Sequence, residues 1–169
     1  ANFRGTLEAI SARFQAETGQ EVRISSASTG VLATQILHGA PFDLFLAADG
    51  QAPAALLQAG IGRTRECYAR GDLVLVGGSL DQLADPTSSA AIANPDTAPY
   101  GRAALEVLAR EEFDEGARRD GARRKLVRGS NVLQAYQFWR SGAVDLALVA
   151  RSLAPGDSTA VPADWYTPL

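Results

Sequence analysis

Alternating helix and strand patterns restrict the fold of this chain more than any other feature. Apolar residues recur at helical spacing in some stretches and form short runs typical of buried strands in others. One helix is predicted around Leu7, Ile10 and Phe14, stopped by Gly19. The further predicted helices are residues 31–37, 53–59, 80–84, 103–113 and 132–139, and the predicted strands are residues 21–25, 43–47, 73–76, 90–93, 126–127 and 146–149. This order is typical of α/β proteins with mainly parallel sheets.

Two polar stretches divide the pattern. They cover residues 61–70 and 155–162, and each is interpreted as a crossing between two lobes. We therefore expect residues 1–70 to form an incomplete first lobe and residues 71–156 a second lobe. Residues 157–169 would then return toward the first lobe.

The inventory of reactive side chains argues against a bare metal ion or a Cys–His pair. The chain has one histidine, His38, at a predicted helix end, and one cysteine, Cys67. The apolar neighbours of Cys67 predict a buried structural thiol. The acidic residues Asp43, Asp49, Asp81 and Asp96 have no recognised catalytic spacing. We therefore expect no catalytic residue, no cofactor and no bound metal cation.

The charge balance argues against nucleic acid. Formal net charge is −3, and the one basic stretch, residues 118–125, contains no aromatic residue and follows several acidic ones. That stretch is interpreted as a solvated surface. No apolar run is long enough to span a bilayer, so no direct membrane insertion is expected.

Four predicted helices begin with similar chemistry. Their starts are Asn2, Ser28-Thr29-Gly30, Pro99-Tyr100-Gly101 and Gly129-Ser130-Asn131. Taken singly, each is an ordinary helix cap, because Ser, Thr and Asn accept bonds from unpaired backbone N–H groups. Taken together, four helix N-termini facing one cleft would form an anion site built from neutral donors. In open α/β sheets such turns lie at the ligand-binding edge.

At these turns the sequence resembles the molybdate-binding proteins of the ABC transporter family. The matching stretches run in order over nearly the whole chain: residues 1–3, 28–36, 39–49, 93–101 and 129–132. The run Gly39-Ala40-Pro41-Phe42-Asp43-Leu44-Phe45 is the most specific of them. The resemblance implies a two-lobed, type II periplasmic binding-protein fold that captures molybdate, or tungstate, for a membrane ABC permease.

The resemblance also implies which residues hold the oxyanion. By position these are Asn2, Thr29, Tyr100 and Val132, with Ser28 as the alternative source of the hydroxyl at the second segment. Tyr100 and Val132 would act through their backbone N–H groups. Some relatives add a tyrosine hydroxyl where this chain has Ala150, so that donor is missing here.

Other implications concern the chain as a whole. The chain contains no methionine, so Ala1 is not expected to be a translation start. A removed secretory signal peptide would account for that, as would a trimmed chain. We expect a periplasmic protein, monomeric unless a partner chain covers the shortened first lobe. An oxyanion- or small-molecule-sensing regulatory domain of the same fold is the alternative function.

Overall fold

The computed structural model describes residues 2–113, 124–154, 156 and 158–169. Most predicted elements are present within one or two residues of their expected bounds. The helices of the described part are α1 (Arg4–Thr18), α2 (Thr29–Leu37), α3 (Gln51–Gln58), α4 (Leu80–Ala84), α5 (Pro99–Leu108) and α6 (Val132–Arg140). The strands are β1 (Leu73–Val76), β2 (Ala90–Ala93), β3 (Leu126–Gly129), β4 (Leu146–Ala150) and β5 (Thr159–Ala160).

All five strands form one sheet, in the order β3-β2-β4-β1-β5. Strand β2 is parallel to both β3 and β4, whereas β1 is antiparallel to both β4 and β5. The sheet is therefore mixed: four of its five strands run in one direction, as expected, and β1 alone runs opposite to them. An apolar run predicts a buried strand but not its direction. Here the first residue of β1, Leu73, pairs with the last of β4, Ala150.

The hydrophobic core lies in the sheet region, defined here as residues 73–169. Every residue of β1, β2 and β4 is buried, as expected for strands covered on both faces. Helices α5 and α6 cover this sheet. Gly101 allows α5 to lie directly against β2, because a Cβ at this position would collide with the Ala93 carbonyl oxygen.

The N-terminal region, defined as residues 2–72, contains helices α1 to α3. Helix α1 ends at Gly19, which adopts the left-handed conformation expected at a helix C-terminus (φ 72°). The predicted strands over residues 21–25 and 43–47 were wrong, because no described residue of either stretch is in a strand. A strand requires a neighbour for its N–H and C=O groups, and a local apolar pattern cannot supply one. Leu44, predicted to be buried, is 72% exposed.

Three smaller expectations have different outcomes. Cys67 is exposed, so the prediction of a buried thiol was wrong; it lies in an irregular segment outside the core. Most of the basic stretch lies outside the described residues, but Arg124 is buried and donates to the Leu83 carbonyl rather than facing solvent. In the predicted return segment, Thr159 and Ala160 pair with β1 in the sheet. The lobe boundaries themselves stay a prediction.

Candidate functional site

A small cavity of about 40 Å³ lies between the N-terminal region and the sheet region. Its wall contains all five residues that the sequence singled out: Asn2, Ser28, Thr29, Tyr100 and Val132. They reach it from the starts of four helices, α1, α2, α5 and α6. By the same measure one water needs about 10–15 Å³, so the cavity has room for a small polyatomic ion.

Ser28 supplies a buried hydroxyl to this wall. It occupies the N-cap position of α2 but makes no side-chain capping bond, and the residue is 5% exposed. Its Oγ is buried and has no hydrogen-bond partner among the described residues. A buried hydroxyl without a partner costs about 1–3 kcal/mol, which a ligand in the cavity would offset. The simple capping interpretation therefore does not account for Ser28.

Thr29 has a different role in the structure. Its Oγ1 accepts a hydrogen bond from the Ala48 backbone N–H at 3.0 Å. This bond ties the start of α2 to the irregular segment that follows residue 47, and that segment forms another part of the cavity wall. The hydroxyl is therefore already used as an acceptor, although its own hydrogen remains available for donation.

The sheet region contributes two helix starts to the wall. Pro99 opens α5 and has no N–H, so Tyr100 carries the first N–H of that helix. Val132 is the first residue of α6, while the Asn131 side chain accepts bonds from the N–H groups of Leu133 and Gln134. The first N–H groups of a helix have no acceptor within the helix, so those of Tyr100 and Val132 suit an anion.

The Tyr100 side chain has structural neighbours. Asn2 Nδ2 donates to Tyr100 Oη at 3.4 Å, and a Cβ at Gly71 would collide with that oxygen. Burial, followed by the proximity of Tyr68, Asp72 and Tyr166, raises the pKa of Tyr100 well above its ordinary value. The phenol is thus neutral over the physiological range and cannot repel an anion.

Among the described residues, no side chain that lines this cavity carries a formal charge. The remaining wall consists of Phe3, Ala27, Leu32, Leu46, Ala48, Tyr68, Ala98, Pro99 and Asn131. An anion would be held by hydroxyl, amide and backbone donors and by the positive ends of helix dipoles. None of the described lining residues has a carboxylate to accept a proton from the ligand, so the site favours an anion that carries no proton.

Sequence reasoning missed some of these wall residues. Phe3 and Tyr68 contact each other edge to face, with ring centroids 5.5 Å apart, and Tyr68 Oη donates to the Ala47 carbonyl at 2.9 Å. Tyr68 lies in an irregular segment, where no periodicity predicts which way a side chain points. Asn2, Phe3, Ala48, Tyr68 and Tyr100 also line a larger neighbouring cavity of about 710 Å³.

The described residues form neither a metal-ion cluster nor a membrane-spanning helix. No group of three or more His, Cys, Asp and Glu side chains there could hold a metal ion. None of the described helices combines the length and the hydropathy needed to cross a membrane.

Comparison with known proteins identifies the family of this chain. The family model of the bacterial extracellular solute-binding proteins matches residues 1–169, the whole sequence. The chain belongs to this family. Solute-binding proteins of ABC transporters are not enzymes, so the expectation of no catalytic activity is confirmed.

Two similar proteins are both named as molybdate-binding proteins. The chain is 39% identical to the molybdate-binding protein ModA of Azotobacter vinelandii over an alignment 186 positions long, which covers all of this chain and 72% of the relative. It is 34% identical to ModA of Rhodobacter capsulatus, with 70% of that protein covered. Neither relative supports the alternative of a regulatory sensing domain.

Solved structures agree on the fold. The periplasmic molybdate-binding protein of Azotobacter vinelandii superposes with a TM-score of 0.84 at 34% identity, covering 99% of this chain and 78% of that one. The substrate-binding domain of a molybdenum ABC transporter protein from Clostridium difficile, described as putative, has a TM-score of 0.64 at 21% identity, which supports the fold alone. The predicted periplasmic-binding-protein-like α/β fold is thus confirmed, in a chain shorter than its relatives.

Proposed function

We propose that this protein binds molybdate in the 40 Å³ cavity for delivery to an ABC permease. The observation that carries the proposal is the buried Ser28 hydroxyl, which lacks a partner and lines an uncharged cavity at four helix N-termini. A tetrahedral dianion would satisfy that hydroxyl and the free helix N–H groups at once. The names of the relatives point to the same ligand.

Each site residue has a proposed role. Ser28 donates its hydroxyl. Asn2 donates its side-chain amide in exchange for its long contacts with Tyr100 Oη (3.4 Å) and Ser152 Oγ (3.5 Å). Tyr100 and Val132 donate backbone N–H groups. Thr29, whose Oγ1 already accepts from Ala48, positions the wall and is the weaker candidate for direct contact. We therefore propose Ser28 rather than Thr29 as the hydroxyl that contacts the anion.

Thermal unfolding with added molybdate tests the function. A ligand that binds only the folded state at 1,000 times its Kd stabilises the protein by about 4 kcal/mol. We expect the melting temperature to rise with molybdate concentration, and calorimetry to give one site per chain. A well-folded sample whose melting temperature is unmoved by millimolar molybdate or tungstate would refute the proposal.

The proposal also covers a second ligand, the location, the partner and the oligomeric state of the protein. Tungstate has the same charge and shape as molybdate, so we propose that it binds as well. A periplasmic location and a membrane permease partner follow from the relatives' function. We also propose a monomer, because one chain supplies all five residues proposed to hold the anion. Sedimentation velocity, with and without molybdate, tests this last point.

A further inference from the structure

We propose that Asp49 and Arg102 form a latch that holds the N-terminal region and the sheet region closed over the anion cavity. The proposal rests on the proposed function and adds two residues outside the cavity wall. Asp49 follows the wall residue Ala48 directly, and Arg102 lies two residues after Tyr100 in α5. The latch thus joins the two sides of the site immediately beside the ligand.

The Asp49 carboxylate is held in place by its own region. Its Oδ1 accepts a bond from the Ala52 N–H at 3.1 Å in the first turn of α3, and its Oδ2 forms an ion pair with the Arg102 guanidinium. The Asp49 side chain is only 10% exposed, against 40% for Arg102. Low exposure reduces solvent screening, so this pair is stronger than an ordinary surface ion pair.

A second contact closes the same interface. Gly30, in the first turn of α2, donates its backbone N–H to the Thr97 carbonyl at 2.8 Å, across the same interface. A Cβ at residue 30 would lie 2.9 Å from that oxygen and 3.1 Å from Thr97 Cα. Glycine therefore permits an approach that any other residue would hinder.

These contacts bridge the two regions, so they exist only when the regions are together. Contacts made only in the closed form lower the apparent Kd by raising the closed fraction, without touching the ligand. Loss of these contacts should raise the dissociation rate constant of the anion and leave its association rate constant nearly unchanged. The latch would therefore set how long the anion stays bound.

The first test measures release of radiolabelled molybdate during a chase with unlabelled molybdate. Asp49→Asn keeps an oxygen that can accept from the Ala52 N–H while removing the charge, and Arg102→Gln removes the partner. We expect each to raise the dissociation rate about three- to tenfold, and the double variant to do no more than either alone. Glu17→Gln and Arg13→Gln, which break an exposed pair within α1, are the matched controls and should leave the rate unchanged.

The second test needs no ligand. The Gly30 amide exchanges with solvent when its bond to Thr97 opens, so its hydrogen-exchange rate, followed by NMR, reports closure directly. Asp49→Asn should raise that rate several-fold, while amides in the interior of α2, such as that of Ala33, should keep theirs. Parallel acceleration along the whole of α2 would instead indicate local unfolding and overturn the latch.

The two tests separate the latch from the proposed function. If the wild type binds molybdate but the variants release it at the wild-type rate, the latch is wrong and the function stands. If the wild type does not bind molybdate, the function is wrong, and exchange at Gly30 decides the latch alone.

Discussion

Ser28 and Thr29 show how adjacent residues of similar chemistry can have different roles. We predict that Ser28→Ala weakens molybdate binding about ten- to a hundredfold, because a hydrogen bond to a charged ligand is worth about 1.5–3 kcal/mol. The same variant should not destabilise the ligand-free protein, because its Oγ makes no hydrogen bond there. Calorimetry and urea unfolding measure the two quantities.

Ser79→Ala is the matched control, since Ser79 caps α4 with its side chain. It should cost about 1 kcal/mol of stability and leave molybdate affinity unchanged. An affinity loss in the Ser79 variant, or none in the Ser28 variant, would contradict the assignment.

Tyr100 allows a residue-scale prediction with a pH signature. Its pKa in the folded protein is raised above the ordinary value of 10.0, chiefly by burial. The stabilisation linked to the neutral phenol is present below about pH 10, the unfolded value, and is lost as the pH rises toward the folded pKa. As the pH rises above 10, the free energy of unfolding should therefore fall less in Tyr100→Phe than in the wild type. Unfolding measured at intervals from pH 8 to 12 checks this.

Molybdate affinity at neutral pH should change little in the Tyr100→Phe variant, because the residue is assigned a backbone role. A large loss of affinity would mean that the phenol itself contacts the anion.

At the scale of elements, the contact between α5 and β2 places Tyr100 at the cavity. We predict that Gly101→Ala destabilises the protein by about 1–3 kcal/mol, because the added methyl group meets the Ala93 carbonyl and pushes α5 from the sheet. Gly5→Ala in α1 is the matched control: nothing lies within 4 Å of its Cβ, so it should stabilise by up to about 1 kcal/mol. Chemical unfolding of both variants checks this, and equal effects would refute the close packing.

At the scale of the whole molecule, the uncharged cavity between two regions predicts selectivity. Phosphate at neutral pH keeps a proton that must be donated to an acceptor, and no carboxylate lines the cavity in the part of the chain that the structure describes. The unpaired proton costs about 1–3 kcal/mol, so phosphate should bind roughly five- to a hundredfold more weakly than molybdate. Tungstate should match molybdate. Competition calorimetry measures these affinities. Phosphate binding as tightly as molybdate would overturn a site made only of hydrogen-bond donors.

The sequence by itself predicted the helices, four of the five strands of the sheet region and the five residues proposed for the site. Helix periodicity, apolar runs and terminal residues such as Gly19 and Pro99 act over a few neighbours, so they can be read without knowing the fold. The site positions came from a family resemblance at the helix starts.

Only the tertiary structure decided how these pieces act together. It left residues 21–25 and 43–47 without strand partners, because pairing depends on distant chain. It set β1 antiparallel to β4, a direction that no apolar pattern encodes. In the folded chain the Thr29 hydroxyl accepts a hydrogen bond from the Ala48 N–H, whereas the Ser28 hydroxyl has no partner among the described residues. Asp49 forms an ion pair with Arg102. Each outcome depends on which atoms meet across long separations in the chain, and local sequence does not specify that.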